Sequence, residues 1–310
     1  MPSIGLAALA LVAAVTAVVS PGTGAASKPA SLDWKLERPT SHGTTVVGTL
    51  PGHGATRHLG VSVRGGKAVA IAGVEPVSVL ARPHVGTDAN GGIVVVYPRC
   101  ATTDGARCDL YQVGVDGRGE QPVPGVNTPG SSELQGSMDR GDVAFLRSAH
   151  DLRAEHASLY LRPAGGEARL LSRAGGSEIA LSGDHVAQVR DVDPYVGICG
   201  LPAVEVRDVD SGDVRHVIGR ACGLNGQRLG SLNFAGGRLT FLAWDGADGV
   251  PGTKIYRTAE DGTGTTHTDG PRRAVAFAPT GPRTGVAVVL RGREGPTAMV
   301  AVRKLAFRGH

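Results

Sequence analysis

A glycine followed at once by a short apolar strand recurs six times along this chain. The copies are GTTVVGTL at Gly43, GIVVVYP at Gly92, GDVAFLR at Gly141, GDHVAQVR at Gly183, GRLTFLAW at Gly237 and GVAVVLRG at Gly285. Their spacings are 49, 49, 42, 54 and 48 residues, and a steady period in this range marks a repeat architecture. The second half of the unit keeps step. An apolar strand, a Gly-centred turn and another strand appear in LGVSVRGGKAVAIAG, LYLRPAGGEARLL and AVEVRDVDSGDVRHVIG. The last copy, AMVAVRKLAFRG, lacks the Gly turn. A further strand precedes each glycine, read as SVLA before Gly92, IALS before Gly183, SLNF before Gly237 and AVAFAP before Gly285. Each unit thus carries four short strands, A to D.

Four antiparallel strands in roughly 48 residues is the make-up of a propeller blade. A lone blade cannot bury both faces of its sheet, so neighbours must stack on it, and closing the ring removes the exposed ends. The expected fold is all-β, a six-bladed β-propeller with four antiparallel strands per blade, formed by residues 27–310 as one domain. Its closure is expected from the N-terminal segment LDWKLER (Leu32–Arg38), with Lys304–Phe307 as the other candidate for the missing outer strand. Composition agrees with many tight turns: glycine is 47 of 310 residues, roughly twice ordinary usage. Aromatics are only 4%, so the core rests on Val, Leu, Ile and Ala. The net charge of +4 comes without a Lys/Arg cluster or interleaved aromatics, which argues against nucleic acid as a partner.

Ile4–Ser20 is an uncharged apolar run followed by Pro21 and the small-residue stretch GTGAAS. It reads as a secretory signal cleaved near Ala26, residues 1–26 in all, with an uncleaved membrane anchor as the alternative. Either way the remainder is expected outside the cytoplasm. The four cysteines suit an oxidising compartment. No CxxC occurs and no histidine stands at zinc spacing from Cys100 or Cys108, so disulfides are expected in place of a metal site.

GDVAFLRS followed by ASLYLRPAGGEARLLS resembles the blade repeat of TolB-like six-bladed propellers. That repeat runs glycine, apolar strand, polar loop, LY with alternating apolars, a Gly-Gly-Glu turn and a last strand. The match is best in the third copy and poor in the first and last. The resemblance implies a family made mostly of binding and scaffolding modules, with enzymes on some related propellers. Since about 16 residues separate Ser27 from the first repeat, no TolB-type N-terminal domain is expected, and TolB's own partner is not implied.

In an antiparallel blade the B–C and D–A connections leave on one face. Here these loops vary in length and sequence from copy to copy, whereas the A–B and C–D turns are short, and function is usually displayed on such variable loops. The expected disulfides, Cys100–Cys108 and Cys199–Cys222, would staple loops of that face. Candidate binding residues are Asp191, Asp193 and Tyr195 in RDVDPYVG and Trp244, Asp245 and Asp248 in WDGADG, with His150 and His156 on a third B–C loop. The aromatics offer flat apolar surface and the carboxylates offer acceptors or hard oxygen ligands. No cofactor is expected, calcium being the one ion these carboxylates suit. DVDSGD (Asp208–Asp213) lacks the distal Glu of a calcium loop and reads as an Asp/Gly turn. G-x-S-x-G, H-E-x-x-H and the P-loop pattern are absent, so no catalytic residue is assigned. The expected function is that of a secreted, monomeric, non-catalytic module binding a protein or glycan. A secreted hydrolase or lyase with an acidic/His site at the channel mouth is the alternative.

Overall fold

The computed structural model describes residues 36–306 except 55, 65, 79, 103–106, 149–156, 174–175, 191–202, 219–227, 246–251, 271–273, 282–283 and 292–298. Six antiparallel sheets follow the sequence units in order. The first holds β1 (Glu37–His42), β2 (Thr45–Pro51), β3 (Thr56–Val63) and β4 (Val69–Ala70), with β5 (Val77–Ser78) also on β3. The second holds β6 (His84–Thr87), β7 (Ile93–Cys100), β8 (Cys108–Gly114) and β9 (Gln121–Pro122). The third holds β10 (Ser132–Asp139), β11 (Asp142–Ser148), β12 (Ser158–Arg162) and β13 (Arg169–Ser172). The fourth is β14 (Glu178–Ser182), β15 (His185–Arg190), β16 (Ala203–Asp208) and β17 (Val214–Ile218). The fifth is β18 (Arg228–Phe234), β19 (Arg238–Asp245), β20 (Gly252–Ala259) and β21 (Thr266–Asp269). Strands β22 (Ala274–Gly281), β23 (Thr284–Arg291) and β24 (Met299–Ala306) form a sixth sheet. Five sheets therefore show the complete A–D meander, and the sixth shows three strands among the described residues.

At four of the six copies the repeated glycine has positive φ: Gly43, Gly141, Gly183 and Gly237. Arg140 and Gly141 have φ of 52° and 84°, the left-handed pair that lets a two-residue hairpin follow the strand twist. Asp139 and Asp142 then face each other as the first rung of β10–β11.

Successive residues of a B strand feed opposite interfaces, because side chains alternate across a sheet. In β11, Val143 and Phe145 pack against the second sheet, while Ala144 and Leu146 pack against the fourth. In β7, Val95 and Tyr97 join the cluster with the first sheet, while Val94 and Val96 join the one with the third. The core is thus a series of layers between sheets, and this is why the B strands read as unbroken apolar runs. The LY element has a fixed partner in this scheme. Tyr111, Tyr160 and Tyr256 on C strands stand directly opposite Tyr97, Phe145 and Phe241 on B strands. Ring centroids lie 5.0 to 6.4 Å apart.

The A strands are innermost, and each packs on the next: β1 on β6, then β10, β14, β18 and β22, with β22 against β1. Side-chain-to-backbone bonds join them. Val85 N–H donates to Thr40 Oγ at 3.2 Å, Leu181 N–H to Ser137 Oγ at 2.9 Å, and Gly183 N–H to Asp139 Oδ2 at 2.8 Å. Leu232 N–H donates to Glu178 Oε2 at 3.1 Å, and Asn233 Nδ2 to the Phe277 carbonyl at 3.0 Å. The Ser41 hydroxyl donates to the Pro279 carbonyl.

Two expectations about strands are corrected. The innermost strand of the second sheet is His84–Thr87, and among the described residues of SVLA only Ser78, in β5, lies in a strand, on β3 of the first sheet. Apolar character pointed to the wrong segment: the polar His84–Thr87 sits directly before a turn in which the Asp88 carboxylate accepts from Asn90 and Gly92 N–H at 2.8 and 2.7 Å. The N-terminal segment also behaves differently. Glu37 and Arg38 belong to β1, paired inside the first sheet with β2. Leu36 is buried over Gly48 and Gly60, where a Cβ on Gly60 would come within 2.6 Å of Leu36 Cδ2. Residues 32–35 lie outside the described residues. Lys304–Ala306 continue β24, pairing with β23 up to Ala306↔Thr284, so these residues belong to the third strand of the sixth sheet and not to a separate fourth one; Phe307 lies outside the described residues.

Candidate functional site

A cavity of about 180 Å³ opens at the B–C and D–A face. It forms where the link from the first to the second sheet passes the ends of β7, β8, β10 and β11. One wall is the Cys100–Cys108 disulfide, which joins directly opposed residues on the last rung of β7–β8. Cys108 N–H is held by Ser132 Oγ at 2.9 Å, tying this hairpin to the start of β10. Pro98, Leu134 and Leu146 supply aliphatic wall, with Leu80 at the exposed rim.

The polar lining comes from Arg38, Arg82, Gln135 and Ser177. Arg38 sits at φ 49° where the β1–β2 register slips. This left-handed conformation is strained for a non-glycine residue. Its Nη1 lies 3.5 Å from the Ala81 carbonyl. Burial and, next, the Arg82 charge hold its pKa below the usual guanidinium value. Arg82 reaches to the start of β14, donating to the Ser177 carbonyl at 3.1 Å and to Glu178 Oε1 at 2.5 Å. Gln135 follows a second register slip, in β10 after Glu133. Bulges of this kind re-aim side chains near strand ends. Gln135 is only 6% exposed, and its Oε1 has no hydrogen-bond partner among the described residues.

Glu133, fully buried beside this site, takes Arg147 Nε at 2.8 Å. Burial still pushes its pKa up, against the opposing pull of Arg147. It does not line the cavity.

Of the residues singled out in the sequence, the Cys100–Cys108 pair forms its disulfide. Trp244 and Asp245 lie at the end of β19, on rungs with Thr253 and Gly252, at the B–C edge of the fifth sheet. Asp191, Asp193, Tyr195, Asp248, His150, His156, Cys199 and Cys222 lie outside the described residues. DVDSGD is the C–D turn of the fourth sheet. Asp208 Oδ1 accepts from Asp210 and Ser211 N–H at 3.0 and 2.9 Å, and Oδ2 takes Arg215 at 2.8 Å. Those backbone bonds, then Arg215, hold its pKa well below the carboxylate range. Among the described residues no group of three His, Cys, Asp or Glu is placed to hold a metal ion.

Arg38, Arg82 and Gln135 were passed over in the sequence. A signal for two of them exists: Leu-x-Arg-Pro occurs at Leu36–Pro39 and again at Leu80–Pro83, each time at or just before an innermost strand. Gln135 has no comparable mark.

No family model matches the sequence, and no curated protein does. Solved structures do match. TolB from Acinetobacter baumannii is 11% identical with a TM-score of 0.56, the match covering 85% of this chain and 63% of that one. A protein of unknown function from Dyadobacter fermentans is 9% identical with a TM-score of 0.55, covering 91% and 99%. A putative TolB from Agrobacterium tumefaciens is 12% identical with a TM-score of 0.47, covering 88% and 91%. This chain thus spans less than two thirds of the Acinetobacter TolB. At these identities the likeness concerns fold, and the chain is an all-β propeller of antiparallel blades, similar to TolB and to other propeller proteins.

Proposed function

We propose that this chain is an extracytoplasmic, non-catalytic binding propeller that holds a protruding loop of a protein partner at its B–C and D–A face. The cavity beside the disulfide carries this reading. Its volume of about 180 Å³ is below the roughly 300–1,000 Å³ of small-molecule sites, and it suits one anchor side chain of a larger partner. Among the described residues its lining has aliphatic walls and no aromatic residue, whereas a sugar ring packs on a flat aromatic surface. This favours protein over glycan. Among the described residues the lining also holds no carboxylate or imidazole, the groups that a hydrolase or lyase would use. A wall fixed by a disulfide is pre-organised, which lowers the entropic cost of binding.

In this reading residues 1–26 are a secretory signal or anchor, and residues 27–310 form a monomeric six-bladed ring. The loops carrying Asp191, Asp193, Tyr195, Asp245 and Asp248 widen the same face. The test uses the full mature chain with a photo-crosslinking residue placed either at exposed Ala101, on this face, or at exposed Arg118, in a C–D turn on the other face. A discrete protein adduct from position 101 and none from 118 is the expected result. Adducts from 118 alone, or equally from both, would refute the assignment of the face. Turnover of a peptide or polysaccharide pool by the purified chain would replace binding with the hydrolase or lyase reading.

A further inference from the structure

The geometry points to the side chain that fills the cavity: an uncharged apolar one at the tip of the partner's loop, covering Leu80 as it enters. This rests on the binding reading above and adds the chemistry of the anchor. Leu80 is a large apolar side chain left 52% exposed, and it stands at the cavity rim. Its position is built in. Leu80 N–H donates to Ser78 Oγ at 3.2 Å and Ala81 N–H to the Ser78 carbonyl at 2.9 Å, a turn that keeps Leu80 at the mouth. Behind it Pro98, Leu134, Leu146 and the disulfide continue the apolar wall. A partner group that covers the rim and fills the space takes all of this surface out of water at once. The volume of about 180 Å³ exceeds the roughly 150 Å³ at which an apolar cavity takes a benzene ring, so a side chain of Leu, Met or Phe size fits.

The polar lining argues against the other tips. A Lys or Arg tip would enter against Arg38 and Arg82. An Asp or Glu tip would shed its water to meet Arg82, whose charge the Glu178 carboxylate already matches at 2.5 Å. Glu178 is itself held by Leu232 N–H at 3.1 Å, and a charge buried beside a completed pair is poorly compensated. A carboxamide tip brings two N–H donors. Gln135 Oε1 is sealed from solvent, and the Ala81 and Ser177 carbonyls already accept from Arg38 and Arg82, so the lost hydration of those donors is poorly offset. An apolar tip brings no polar group that needs a partner.

The test titrates the disulfide-intact chain with capped amino acids, the N-acetyl N-methylamides of leucine, alanine, glutamine, glutamate and lysine. Binding is read by saturation-transfer NMR. Each buried methylene is worth roughly fourfold in affinity, so the leucine derivative is expected to bind at least about tenfold more tightly than each of the other four. Leu80→Ser, at an exposed position, should keep the parent's melting temperature and lose at least about fourfold for leucine, and Leu80→Met should bind as the parent does. Equal or tighter binding of any polar or charged derivative overturns the proposal. So does leucine binding no better than alanine, parent-like binding by Leu80→Ser, a loss in Leu80→Met as deep as in Leu80→Ser, or no binding by any of the five. If the probes fail while the Ala101 adduct persists, the apolar anchor is discarded and the binding module stands. If both fail, both readings fall.

Discussion

Lowering the pH should weaken this fold through one histidine on an inner strand. His84 lies in β6, 4% exposed, with Nδ1 3.2 Å from Ser137 Oγ. The Ser137 hydroxyl also accepts from Leu181 N–H, and the direction of its bond to Nδ1 follows the imidazole tautomer; the other ring nitrogen is Nε2. That atom has no partner among the described residues. Protonation would bury a cation here, near His42, and burial accordingly lowers the pKa from 6.5 to about 4. The unfolded chain binds the proton first. Stability is therefore full above about pH 6.5 and falls as pH drops toward 4. With these two values the loss is about 2 kcal/mol at pH 5 and about 3 kcal/mol at pH 4. Urea unfolding of the parent and of His84→Gln at pH 7.5, 6, 5 and 4.5 isolates this contribution, because every other group titrates in both proteins. The parent should lose about 2 kcal/mol more than the variant between pH 7.5 and 5. Parallel pH curves for the two proteins would show that His84 is hydrated or paired in solution, and the reasoning would be wrong.

Asn233 accepts from Ser41 N–H at 3.0 Å and donates to the Phe277 carbonyl, linking three inner strands. Asn233→Ala should cost about 2–4 kcal/mol by chemical denaturation, since two buried backbone groups lose their partners; a cost below about 0.5 would contradict the ring of bonds. A Cβ at Gly86 would fall 1.7 Å from the Met138 carbonyl oxygen, where two inner strands meet. Gly86→Ala should therefore lower stability by at least about 2 kcal/mol, and an unchanged melting temperature would rule out that close approach. Replacing Cys100 and Cys108 by Ser opens a short loop and should cost about 2–3 kcal/mol by the chain-entropy estimate, with crosslinking from Ala101 reduced in parallel. Unchanged crosslinking would mean that the staple does not order this face.

Much of the fold was legible because its cause is local. Positive φ at Gly43, Gly141, Gly183 and Gly237 favours glycine at four of the A–B hairpins, and strand alternation into two interfaces demands apolar runs, so both left a periodic trace. The pairing of Cys100 with Cys108 was legible for the same reason, as the two residues end adjacent strands of one hairpin. The SVLA misreading shows the limit. Innermost strands pack by side-chain-to-backbone bonds near the axis, and His84, Ser137 and Asn233 there are polar yet buried, so hydrophobicity points elsewhere.

The sequence by itself determined the repeat, its all-β character, the turn positions and the face on which loops vary, since each depends on residues within one unit of about 48. Only the tertiary structure decided that Glu37–His42 is spent inside the first sheet, that Arg82 reaches Glu178 at the start of β14, and that Arg38, Gln135 and the disulfide share one cavity. The last two are contacts between different units of the chain. No period in the sequence records which side chains the stacked blades bring face to face.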